Sequence, residues 1–136
     1  MTLRLPSQRS QRGAVLVEFA LVVPLLLVLT LSVIDISRAF FVKNVLCQAA
    51  REGVRTAAVM TAADADSVKA RVKAVASAAN VDIETITIST PGDRQINVQV
   101  ESSFKWILPG LFRLLDPNFG TGLPLKASAW MRQETP

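Results

Sequence analysis

Glu18 is the only ionisable side chain in the 21 residues Ala14–Ile34, AVLVEFALVVPLLLVLTLSVI, and it stands five residues after Gly13. A charged side chain inside hydrocarbon costs on the order of 3 kcal/mol. A helix N-terminus returns only about 0.3–1 kcal/mol to a nearby acid. Glu18 therefore either snorkels into the headgroup layer or meets a cation. Cleavage after Gly13 would create such a cation, because the new α-ammonium of Ala14 lies about 6 Å along a helix from Glu18. In a packed array the amine of one subunit can then meet the glutamate of another. Other chemistry is excluded by composition. The 136 residues include no His, no Tyr and a single cysteine, Cys47. That removes a His-based triad, a His-ligated metal site and an internal disulfide. No residue pair has a spacing that argues for catalysis, so no enzyme, cofactor or metal is expected. Cys47 reads as a small apolar side chain rather than a reactive thiol.

The elements that must position this junction follow from charge and hydropathy. Half the residues are hydrophobic and 19% charged, which points to a membrane segment or an unusually apolar core. The formal charge is +4, which invites a nucleic-acid reading. Three of those charges are Arg4, Arg9 and Arg12 of residues 1–13, a tail with no acid; the other 12 bases face 11 acids. The basicity belongs to the tail, so no nucleic-acid partner is expected. Residues 1–13 are polar and basic and are predicted to be unfolded. Residues 14–34 reach roughly 31 Å as a helix, enough to cross a bilayer, and Pro24 is tolerated there. A cleaved secretory signal is disfavoured, because the apolar run is too long and ends in Asp35-Ile36-Ser37-Arg38 without a small-x-small site. Lys and Arg near the span tie at three on each side, and the acid-free tail leans the N-terminus toward the cytoplasm.

Residues 35–60 continue the helix, with Ile36, Phe40, Val45 (or Phe41), Ala49 and Ala50 as its apolar face and ion pairs Asp35–Arg38 and Glu52–Arg55 at i,i+3. Residues 61–136 form a small α+β domain. A break at Thr61-Ala62-Ala63, capped by Asp64 or Asp66, leads to a helix over about 65–79 with Val68, Val72, Val75 and Ala79 on one face and Asn80 as its stop. Period-two alternation in Ile96–Phe104 and Leu123–Met131, with the Ile/Thr-rich 82–90 and a turn at Pro91-Gly92-Asp93, predicts a three-stranded antiparallel sheet covered by that helix. The insertion KWILPGLFRLLDPNFG is too broken by Pro109, Gly110 and Pro117 to span a membrane. It reads as a loop or short helical turn at the core's edge, or near a membrane or partner. Ala49, Gly53 and Ala57 form an i, i+4, i+8 line suited to close helix packing, either on another helix or on the protein's own sheet. Arg51 and Arg55, one turn apart, are a solvated face or partners for acids of a neighbouring subunit.

The basic leader, Gly13, the apolar Ala14–Val17 and Glu18-Phe19 together resemble the processing site of type IV pilins and pseudopilins. RGAVLVEFALVVPLLL with CQAAREGVRTAAV downstream is most similar to the TadE/TadF-type minor pilins of tight-adherence (Tad, Flp-type) pili, and the ending LKASAWMRQE is similar to TadE-like chains. The resemblance implies cleavage between Gly13 and Ala14 by a prepilin peptidase on the cytoplasmic face. It implies a single pass through the inner membrane with the N-terminus on the cytoplasmic side and residues 35–136 outside, membrane- or pilus-associated. It also implies assembly through Glu18 and Phe19, with membrane lipid, other pilin and pseudopilin subunits and inner-membrane assembly machinery as partners. The competing expectation is a permanently anchored single-span protein whose outer domain binds a ligand or envelope partner.

Overall fold

A computed structural model describes residues 8–59, 65–92, 95–107, 109, 113, 117, 120 and 122–132. Two helices, α1 (Gln8–Val59) and α2 (Ala65–Ala78), precede three strands, β1 (Thr85–Gly92), β2 (Gln95–Lys105) and β3 (Gly122–Arg132). The fold is α+β.

The 52 residues of α1 make a rod of roughly 78 Å. It begins earlier than the sequence suggests. Residues 8–13 were expected to be unfolded, yet they are helical. Extending a helix that is already nucleated costs little, so the apolar segment carries the polar residues before it into helix. Pro24 lies inside α1 without ending it. The hydroxyls of Thr30, Ser32 and Ser37 each donate to the carbonyl four residues earlier, at 2.8–2.9 Å, so these polar groups are satisfied within the apolar half.

The head is built on the second half of α1. Leu46, Ala49, Ala50, Val54 and Ala57 of α1, Val68, Val72 and Ala76 of α2, and Val98 and Val100 of β2 form its fully buried centre. The predicted apolar face of α1 is corrected at its start: Ile36, Phe40 and Phe41 are 51%, 66% and 54% exposed, and tight packing begins near Val45. The end of the sheet reaches α1 at Asp35, but these side chains point to either side of that contact and stay exposed.

Asn80 ends α2 as its sequence suggests. It has φ 54°, and the Asn80 and Val81 amides donate to the Ser77 and Ala76 carbonyls at 3.0 Å each, a Schellman closure. Asp66 lies in the first turn of α2 rather than capping it and pairs with Lys69 at 3.7 Å; residues 60–64, including Asp64 and the expected break, are outside the described residues.

The sheet is antiparallel in the order β1-β2-β3. β1 starts at Thr85 rather than at 82, because Asp82 and Glu84 are tied laterally: Ser102 Oγ donates to the Asp82 carbonyl, and the Glu84 amide to the Glu101 carbonyl. Pro91 and Gly92 stay in the strand, with Gly92 opposite Gln95; Asp93 is outside the described residues. β2 is central and alternates cleanly, burying Ile96, Val98, Val100, Ser102 and Phe104. β3 was expected to bury one whole face, but only Ala127 is buried; Leu123 and Met131 are each 40% exposed. β3 is an edge strand, and the helical layer covers only its middle.

Candidate functional site

Gly13, Ala14, Glu18 and Phe19 all lie on the uncovered part of α1, and all are exposed. None of the most apolar window of α1 is buried within the chain, so bilayer or other helices must cover it. Ala14 and Glu18 share a helix face one turn apart. Among the described residues Glu18 has no ion pair or hydrogen bond.

The glycines of α1 differ in what surrounds them. A Cβ on Gly13 would meet nothing within 4 Å. Nothing in the described fold requires a glycine there, although glycine costs a helix about 1 kcal/mol relative to alanine. Gly53 is the opposite: a Cβ would sit 2.5 Å from Val72 Cγ2 and 3.3 Å from Val98 Cγ1. The Ala49–Gly53–Ala57 line is buried against α2 and the sheet of the same chain. Of the two destinations open for it, the structure shows the intramolecular one.

Arg51 and Arg55 are exposed. The expected partner of Arg55 is taken by another arginine: Glu52 Oε1 accepts from Arg71 Nε at 3.1 Å and Nη2 at 2.8 Å, clamping α1 to α2. Arg38 does pair with Asp35, at 3.1 Å. Cys47 is free and half-buried.

Asp35 has a larger role than its spacing discloses. It follows the apolar run directly and is fully buried. Its carboxylate accepts the Ile107 amide at 3.1 and 3.2 Å. Arg38 lies 5.2 Å over the Phe104 ring, and Phe104 meets Trp106 edge-on at 5.2 Å. The end of β2 is therefore fastened to α1 where the helix leaves its apolar run. No local pattern marks a contact across 72 residues; an acid at the boundary of an apolar run is the only trace.

Among the described residues no cluster of three or more His, Cys, Asp or Glu could hold a metal. Glu101 on the outer sheet face accepts from Lys126 at 2.8 Å and from Gln99 at 2.8 Å. These bonds, Lys126 first, hold its carboxyl below the ordinary value of 4.5.

Residues 13–55 match the family described as TadE-like protein. The likeness covers this segment, less than half of the chain. The match starts at Gly13 and runs through Glu18, Asp35 and Gly53 to Arg55. Among the described residues one helix, α1, is long and apolar enough to cross a membrane, which suits it to membrane anchoring. No curated protein and no solved structure matches the chain.

Proposed function

We propose that this TadE-like protein is a minor pilin-like subunit of a tight-adherence pilus that acts in surface adherence. It is inserted in the inner membrane with its N-terminus in the cytoplasm, cleaved after Gly13 by a prepilin peptidase, and passed to the inner-membrane assembly machinery. It then assembles through the uncovered half of α1. The observation that carries this reading is Glu18, an exposed acid with no partner among the described residues, one turn from Ala14 on an apolar helix that the head leaves bare. Gly13 supports it, since a glycine unneeded by the described fold fits a requirement imposed from outside, such as a peptidase slot at the membrane surface. After cleavage, the Ala14 α-ammonium of one subunit neutralises Glu18 of its neighbour. Leaving one member of such a buried pair alone costs about 3–5 kcal/mol, enough to shift a subunit equilibrium more than about a hundredfold.

The test is a processing and pilus-fractionation assay in peptidase-positive cells. Gly13→Asp keeps the leader attached. Glu18→Ala inserts and is cleaved, because removing a charge makes insertion easier, but it is absent from or depleted in the pilus fraction. Glu18→Gln is intermediate at best, as it hydrogen-bonds the amine without neutralising it. A mature protein that retains Met1, or a Glu18→Ala variant incorporated like wild type, sinks the corresponding step and favours a permanently anchored protein.

A further inference from the structure

The membrane-proximal end of the head has an apolar side that the fold leaves open. A groove of about 430 Å³ lies between α1 and the start of β3, lined by Ile36, Ala39, Phe40, Trp106, Leu123 and Pro124. Ile36, Phe40, Leu123 and the adjoining Ile107 are 51%, 66%, 40% and 49% exposed. The groove continues the bare apolar side of α1, where Val33 and Ile34 are also exposed. Its height is fixed by Asp35. By holding the Ile107 amide, the residue next to Ile34 keeps Trp106 and Ile107 at the level where the apolar run ends. Along the helix the backbone of Ile36 stands about 3 Å beyond Ile34, inside a headgroup layer roughly 5–8 Å deep on each side of the hydrocarbon, and that of Phe40 about 9 Å, at its outer edge with the side chain tilted back toward the span. The charged residues in the lining are both lysines, Lys43 and Lys126, and Lys126 is paired with Glu101. Lys43 donates to the Lys126 carbonyl, which fixes a cation further from the span than the apolar residues. Apolar and aromatic groups directly at the end of a span match the boundary between acyl chains and headgroups.

We propose that this end of the head is a foot that sits in the headgroup layer of the membrane, its groove occupied by phospholipid. The foot rests on the membrane-anchored reading given above. It adds that the head is held against the leaflet rather than standing off it, so release into a filament must strip lipid from Ile36, Phe40 and Trp106.

The two tryptophans supply a ruler. Trp130 pairs with Asn97, nine residues up β2 from Trp106, which is about 30 Å along a strand. The full-length protein is reconstituted at low density in vesicles of phosphatidylcholine and phosphatidylglycerol carrying acyl-brominated lipid, and tryptophan quenching is measured. With Trp130→Phe, which leaves Trp106, quenching is several-fold stronger than with Trp106→Phe, which leaves Trp130. Adding Phe40→Asp to the Trp130→Phe chain brings Trp106 down toward the Trp130 level without changing far-UV circular dichroism, because Phe40 lies outside the core. Equal, weak quenching of both tryptophans in protein that floats with the vesicles overturns the foot while leaving the anchor intact. Trp106 quenching that disappears as protein density rises assigns the groove to a second copy and also overturns it. Protein that fails to float refutes the anchor, and the foot with it.

Discussion

Gly53 shows how one missing methyl sets the distance between two elements. α2 approaches α1 over it so closely that a Cβ would lie 2.5 Å from Val72 Cγ2, and Val72 is a stiff, fully buried side chain. Gly53→Ala gains up to about 1 kcal/mol of helix propensity, but overpacking at such a site costs typically 1–3 kcal/mol. The variant is therefore expected to unfold at lower denaturant than wild type. Val72→Ala in the same chain removes the clash, so the double variant is more stable than the two single changes predict by addition. Additive denaturation midpoints would show that α2 simply moves aside. The sequence disclosed the small-residue line but left its partner open, because close approach to a neighbouring helix and to the chain's own sheet demand the same small residues. Asp35 was less legible still. Its spacing shows Arg38, but its bond to Ile107 depends on where β2 ends, which only the packed sheet determines.

The elements with unbroken periodicity were the most legible. β2 alternates over its whole length because it is central and covered throughout. The stop of α2 was readable because Asn tolerates the left-handed conformation that the closure needs. Edges were harder, since alternation in β3 reports a capacity for burial that α1 and α2 fulfil only in the middle. On the outer face β2 and β3 are joined by Glu101 and Lys126, directly opposite each other. The Glu101 carboxyl is held below its ordinary value, so the stability it contributes is fully present above 4.5 and is lost as pH falls through its lowered folded value. Glu101→Gln should therefore melt slightly below wild type at neutral pH, the effect being small because the pair is part-exposed. The gap should close on acidification through the carboxylate range. A gap that is constant with pH would mean that the carboxylate contributes packing but no charge.

At the scale of the whole molecule, α1 serves two environments with one uninterrupted helix: an apolar half that the head leaves bare, and a half that supplies much of the head's core. Every residue of the hydrophobic core cluster lies at Val45 or beyond, so the head is expected to fold without the span. The boundary matters through Asp35. A fragment starting at Asp35 retains the acceptor for the Ile107 amide and the Arg38 guanidinium over Phe104. A fragment starting at Val42 retains the core but loses that bond to a charged acceptor, worth about 1.5–3 kcal/mol. Both fragments should show mixed helix and strand by circular dichroism, with the Val42 fragment unfolding at lower urea by about that difference. Adding Asp35→Ala to the longer fragment should reproduce most of the loss, because the rest of its helix is kept. If the two fragments unfold together and Asp35→Ala changes nothing, Asp35 does not fasten the end of β2 to the helix, and the height of the head above the membrane is set by the core alone.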